Sequence, residues 1–378
     1  MSETSDTGDG TVDVPRPTTS TRDRDDLRRR LEAWLATRLP AGAAPRIVAL
    51  EPPTGNGMST ETLLFEAAWR ERGRETRRRL VARVAPDPAD MPVFPTYDMH
   101  RQFRIMQLVR AHSTVPVPEV LWFEEDPAHL GAPFFVMARV DGRVPPDIMP
   151  YNFGGWVSDA SSEERALLEE RSVAVLAGIH AIPAHVFAPL LGDPGPDPLR
   201  RHVEDQRRYY DWVVAAGDRS PLIERAFDWL EEHWPAHPGP TVFCWGDARI
   251  GNILYDGFEP VAVLDWEMAA FGPPEMDLGW FIALHEFFQH VAATYGLPGL
   301  PDFLQPERVA ATYERLSGHR PRDLTWYRCY AALRHAIIMF RISQRAVHFG
   351  EQAASPDPDD QITHRRLLEA MLDGSHWA

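Results

Sequence analysis

Lysine is absent from the 378-residue chain: all 39 basic side chains are Arg. That excludes a Schiff-base lysine, a P-loop lysine and a lysine general base. A fixed cation facing a substrate phosphate must therefore be Arg, His or a metal. Two cysteines, Cys244 and Cys329, cannot build a disulfide framework and fit a reducing compartment. No apolar run approaches the roughly 18 residues a membrane span needs. The first 26 residues, rich in Ser, Thr, Asp and Gly, lack the apolar core of a signal peptide. These absences lead us to expect a soluble, cytoplasmic protein with no membrane partner. Basic charge is short as well: 39 basic against 55 acidic residues leave a formal −16, which argues against a nucleic-acid partner. The fifteen histidines form no HExxH motif or His/Cys cluster, so no zinc site is expected.

What is present begins with proline, 35 of 378 residues, which stiffens loops. Residues 1–22 carry no apolar period and read as a disordered tail. Leu27, Leu31, Trp34, Leu35 and Leu39 share one face of a helix expected from Asp25 to Leu39. Thr62–Trp69 and Leu80–Val84 read as strands around Arg70–Arg79, a block of six Arg and two Glu. That block could be a polyanion patch, but its flanks favour the solvated tip of a hairpin. A helix follows at Tyr97–Ala111, then the extended Val115–Pro118, then strands Val120–Glu124 and Phe134–Val140. Beyond residue 140 helices are expected at Ser162–His180, Leu199–Ala215, Pro221–His233, Glu275–Tyr295, Pro306–Leu316 and Asp323–Val347, interrupted by a β island, Thr241–Leu264. The fold class is therefore α+β, with a β-rich part at 23–140 and a mainly helical part at 141–378.

The island carries the chemistry. Ile253–Tyr255 and Val261–Leu264 flank Asp256-Gly257, a strong hairpin signal. Asn252 would enter the first strand and Asp265 would leave the second, so both reach the hairpin's open end. An amide oxygen and a carboxylate there are hard ligands suited to Mg2+. Asp247 lies on the preceding loop, where Gly246 and Gly251 allow sharp turns. A carboxylate beside a metal–phosphate site can take the proton of an attacking hydroxyl. Arg249, two residues on, can offset charge on a transferred phosphoryl group. The spacing Asp-x4-Asn is common in turns; its weight comes from the hairpin and from Asp265 thirteen residues further along. The chain has only three Asn, at 56, 152 and 252, so an Asn here is less apt to be incidental.

Gly246-Asp247-x4-Asn252, followed by Asp265-Trp266-Glu267 and Asp277-Leu278, resembles the aminoglycoside phosphotransferase family, small-molecule kinases with a protein-kinase-like two-lobed fold. Within it the chain is most similar to actinobacterial phosphotransferases with a Trp-Gly-Asp-Ala-Arg loop. The resemblance implies that Asp247 is the catalytic base, that Asn252 and Asp265 hold Mg2+ between ATP phosphates, and that Asp277 is a buried helix carboxylate bracing the loop. It makes Thr54–Ser59, with Gly55 and Ser59, the loop over the phosphates. Arg83 takes the place of the phosphate-pairing Lys, and Gln102 that of its Glu partner; an Arg with five donors can serve both phosphate and amide. The backbones of Ala138 and Val140 would meet adenine at the inter-lobe hinge. Trp245 replaces a more usual His at a structural position, and His180 reads as a core or cap residue.

The expected activity is thus transfer of the γ-phosphoryl group of ATP, with Mg2+, to a hydroxyl of a small molecule. The resemblance leaves the acceptor between an aminoglycoside-like polycation and a hydroxyacyl-CoA-like compound. The altered residues Arg83 and Gln102 motivate the alternative, a nucleotide-binding pseudokinase with a regulatory or partner-binding role. No oligomeric state follows from the sequence.

Overall fold

Helix α1 (Arg24–Arg38) opens the described part of a computed structural model, which covers residues 24–51, 60–215 and 217–377. The polar segment 1–22 and the stretch carrying Gly55 and Ser59 lie outside the described residues. Leu27, Leu31, Trp34 and Leu35 form the buried stripe of α1, and the Trp34 indole donates to the Glu124 carboxylate at 2.8 Å. Next come β1 (Arg46–Glu51), β2 (Glu61–Glu71) and β3 (Arg74–Val84), then α2 (Met99–His112), β4 (Val120–Glu124) and β5 (Phe134–Ala138). The five strands form one antiparallel sheet in the order β1-β2-β3-β5-β4.

The Arg-rich block is not all hairpin tip. The turn is only Arg72-Gly73, both at positive φ (49° and 81°), the pairing that suits two right-twisted strands. Arg74–Arg79 continue as strand, with outward charges paired as Arg46–Glu75, Arg77–Glu66 and Arg79–Asp141. A stretch whose charges point to solvent can still be strand when its neighbours supply the ladder.

The remaining chain is mostly helical. Helix α3 (Ser162–His180) starts at a reciprocal capping box between Ser161 and Glu164, a motif that satisfies two orphan donors. After it come the short α4 (Ala188–Leu191), α5 (Pro198–Val213), α6 (Pro221–Glu232), α7 (Glu275–Thr294), α8 (Pro306–Ser317), α9 (Leu324–His348) and α10 (Arg365–Asp373). Between α6 and α7 lie β6 (Val242–Cys244), β7 (Ile253–Asp256), β8 (Glu259–Val263) and β9 (Ala270–Gly272), forming the pairs β6–β9 and β7–β8. Strands β1 and β9 and helix α10 were not expected. β9 is three residues long and is defined by its pairing with β6, information that lies outside its own sequence.

One feature ties the island to the segments around the sheet, and another packs the helices behind it. The β7–β8 hairpin is stitched to the inter-lobe segments by Val263 N–H to Pro116 O at 2.8 Å and by reciprocal bonds between Arg143 and Tyr255 at 2.8 and 2.9 Å. Helix α7 packs closely on α9 at Gly279, where a Cβ would stand 2.7 Å from the Tyr327 carbonyl. Among the described residues no helix is long and apolar enough to cross a membrane.

Candidate active site

The loop between β6 and β7 is held from below by one carboxylate. Asp277, in the first turn of α7 and fully buried, accepts from Trp245 N–H at 2.6 Å, Gly246 N–H at 2.8 Å and His180 Nε2–H at 3.0 Å. His180 completes the chain through Nδ1 and the Tyr313 hydroxyl at 2.8 Å. Backbone N–H groups that would otherwise be orphaned are thereby satisfied, and the loop's start is fixed to the helix. Gly246 is required here: its φ is +91°, and a Cβ would fall 2.0 Å from the Met268 carbonyl oxygen. Trp245, in the position where the resemblance suggested His, has a structural task of its own. Its indole N–H lies 2.9 Å from the carbonyl oxygens of both Leu264 and Asp265, tying the loop to the far end of the hairpin.

Asp247, Asn252 and Asp265 gather at the mouth of β7–β8. The Asn252 amide donates to the Asp247 carboxylate at 2.6 Å and to the Asp247 carbonyl at 3.1 Å. With its nitrogen committed, Asn252 presents its amide oxygen, which accepts no hydrogen bond among the described residues. Leu264 N–H donates to the Asn252 carbonyl at 2.9 Å, which sets Asp265 one residue from that contact. Asp265 has a left-handed backbone (φ +55°), a conformation that short polar side chains tolerate better than others. The set Asn252 plus Asp265 offers hard oxygens from one hairpin end, and these donors fit Mg2+.

Two expectations change in detail. Arg83 is buried and hydrogen-bonds Asp265, not Gln102. The Gln102 amide, also buried, reaches the Met99 sulfur at 3.9 Å. A carboxylate is the stronger partner for a guanidinium, so the cation crosses the cleft to it. Arg249, expected to reach outward to a phosphoryl group, is instead held between two carboxylates: its Nε lies 3.2 and 3.3 Å from the Asp247 oxygens, and a terminal nitrogen donates to Asp147. Burial opposes the Arg249 charge, but Asp147 and Asp247 outweigh it and raise the pKa above the ordinary guanidinium value. At the hinge, Ala138 spends its N–H on the Glu119 carbonyl at 2.8 Å, whereas Val140 makes no backbone hydrogen bond among the described residues.

Three neighbours of the site escaped the sequence reading. Asp147, in the segment after β5, bonds Arg249 with one oxygen and leaves the other buried without a partner. Trp280, on α7, donates its indole N–H to Asp247 at 2.8 Å. Arg334, on α9 and 1% exposed, donates to the Gly246 carbonyl at 3.1 Å. Asp147 had no signal. Trp280 had one, three residues after Asp277 and so on the same helix face. A charge at 334 within the run Ala331–Ile337 was another. Beside Arg249 opens a small cleft lined by Asp147, Tyr151, Phe281, Leu284, Phe288 and Leu304.

An antiparallel sheet over a helical body, with the loop carboxylate, amide and hairpin-end carboxylate between them, defines a protein-kinase-like fold. The sequence profile of the phosphotransferase enzyme family matches residues 64–319, more than half of the chain, and the chain belongs to that family. Among solved structures it is similar to a Ralstonia eutropha protein provisionally classed as an aminoglycoside phosphotransferase, with a TM-score of 0.61 and 23% identity over 91% of this chain and 96% of that one. It is also similar to aminoglycoside phosphotransferase APH(4)-Ia, solved as a ternary complex with AMP-PNP and hygromycin B, with a TM-score of 0.53 and 18% identity over 91% and 98% of the two chains. These likenesses show the fold. Among curated proteins, the rat acyl-CoA dehydrogenase family member 11 is 25% identical over 311 residues, covering 79% of this chain. The chain spans 36% of that relative's length.

Proposed function

We propose that this phosphotransferase moves the γ-phosphoryl group of ATP, with Mg2+, to a hydroxyl of a small molecule. The observation that carries the reading is the convergence of Asp247, Asn252 and Asp265 at one hairpin mouth, with Asn252 bonded to Asp247 at 2.6 Å. Magnesium held by the oxygens of Asn252 and Asp265 would neutralise charge on the nucleotide phosphates. Asp247 accepts the proton of the attacking hydroxyl, with the Arg249 guanidinium hydrogen-bonded beside it. Arg83 provides the cation for the phosphates once it exchanges Asp265 for them. The family resemblance would assign Gly55 and Ser59, which lie outside the described residues, to those phosphates, and Val140, with Ala138 beside it, would present backbone groups to the base.

The cleft beside Arg249 bears on the acceptor. Beside the paired Asp147 and Arg249, its walls are mainly Tyr151, Phe281, Leu284, His285, Phe288 and Leu304. A polycation would need unpaired carboxylates; this narrow space admits only a small group of an acceptor, and its mainly apolar lining favours an apolar one, as a hydroxyacyl thioester could present. The naming of curated relatives as acyl-CoA dehydrogenases is consistent with such chemistry. The test is ADP release over a panel spanning aminoglycosides and hydroxyacyl thioesters, comparing the unaltered chain with Asp247→Ala. We expect turnover on the thioester side and a loss of roughly hundredfold or more in the variant. Activity that survives the substitution refutes the base, and tight nucleotide binding with no turnover on any acceptor favours the regulatory reading.

A further inference from the structure

We propose that Trp280 and Arg334 are a positioning pair for Asp247, acting on the base from the buried side of the loop. The inference rests on the reading of Asp247 as base and adds the residues that aim it. Trp280 is buried at 2% exposure, and its indole N–H is spent on Asp247 Oδ1 at 2.8 Å, while Asn252 holds Oδ2 at 2.6 Å. Two donors on opposite oxygens fix the carboxylate's rotation, since turning it breaks both bonds. On the face of the same indole sits the Arg334 guanidinium, 4.5 Å from the ring centroid.

Arg334 is otherwise hard to explain. It is a permanent cation at 1% exposure, its described hydrogen bond goes to the Gly246 carbonyl, and its Nε has no partner. A buried charge without a hydrogen-bonded carboxylate is costly, and an apolar side chain would fill the same space more favourably. Its place behind the loop explains the cost. It anchors the carbonyl of the residue before Asp247, and its charge on the ring face polarises the indole and makes its N–H a stronger donor toward Asp247. A packing role alone would ask only for a ring at position 280, and Phe would supply it.

The experiment uses the full chain, with Trp280→Phe, Arg334→Met and Asp247→Ala. The first readout needs no turnover. In a proton–nitrogen spectrum of the nucleotide-free protein, the indole signal that disappears in Trp280→Phe should lie downfield, exchange slowly, and move upfield in Asp247→Ala. A signal indifferent to Asp247→Ala overturns the contact. The second readout is kinetic: Trp280→Phe should lower kcat about tenfold or more, with the KM for ATP and the melting temperature essentially unchanged. Arg334→Met should shift kcat in the same direction. Because removing a buried Arg can itself disturb folding, the ring-preserving Trp280→Phe decides. If the unaltered chain turns over and Trp280→Phe matches its kcat, or loses only KM, this inference fails alone. If the unaltered chain binds nucleotide and never turns over, the kinase reading fails and takes the base assignment with it.

Discussion

The two sides of the cleft are built on different terms. On the helical side, the loop that bears Asp247 is bonded at its backbone to Asp277, at its carbonyls to Arg334 and Asn252, and at its side chain to Trp280, Asn252 and Arg249. Each of these partners is buried or half-buried protein, so the geometry exists before any ligand arrives, which is what preorganisation requires. On the sheet side the tie to this centre is the Arg83–Asp265 ion pair, whose members would each have another partner once a nucleotide and its metal bind. One side is a fixed frame; on the proposed reading the other is a contact to be exchanged.

The strongest way to break the frame is Asp277→Ala. It strips the acceptor from Trp245 N–H, Gly246 N–H and His180 Nε2–H at once. Leaving such groups buried and unpaired should cost about 3–5 kcal/mol of stability and abolish turnover. Urea unfolding of the variant measures it; an unchanged midpoint would show that the loop does not depend on this helix carboxylate.

Acid should weaken the helical side next. His285, bonded to the Tyr151 hydroxyl at 2.8 Å beside the cleft, and His364, bonded to the Ala332 carbonyl at 3.0 Å, are both pushed by burial from 6.5 to about 4. The unfolded chain takes up these protons near 6.5 and the folded chain only near 4. Between those values the unfolded state binds more protons, so stability falls as pH falls. Full stability holds above about pH 6.5, and about 3 kcal/mol per histidine is lost by about pH 4. Denaturant midpoints taken across this range should decline, and replacing His364 by Gln should flatten part of the decline. A flat profile in the unaltered chain would mean that these rings are charged in the fold.

How much of each side was legible follows from the same contrast. The gathering of these groups was readable because they are sequence neighbours: Asp247 lies on the loop before the hairpin, Asn252 and Asp265 flank its two strands, and Asp256-Gly257 marks its turn. Helices with strong caps were readable for the same local reason; α3 spans Ser162–His180 as expected. Contacts that cross large sequence distances were not. The family resemblance pointed to Gln102 as the partner of Arg83, yet the partner lies 182 residues away. Arg249 is turned inward by Asp147, 102 residues before it, and nothing in the stretch Pro145-Pro146-Asp147 foretells that. The contacts of Trp280 and Arg334 were not legible either, because helical periodicity reports which face is buried, not what a buried polar atom meets there.

Replacing Arg83 by Met tests the exchangeable side, with the smallest expected effect. In the nucleotide-free chain the Arg83 guanidinium competes with any divalent cation for Asp265. Its removal should therefore strengthen Mg2+ binding, by about tenfold or roughly 1.4 kcal/mol. The same substitution takes a cation from the phosphates, so ATP affinity should fall by a similar factor. Opposite signs for the two ligands are the mark of an exchanged contact, and a merely structural pair would weaken both together. Gln102→Ala serves as the control, since its amide meets only the Met99 sulfur among the described residues and should move neither affinity. Calorimetry with Mg2+ alone and with ATP alone reads both numbers. If the two affinities shift in the same direction, Arg83 is a fixed strut, and the sheet side is as rigid as the helical one.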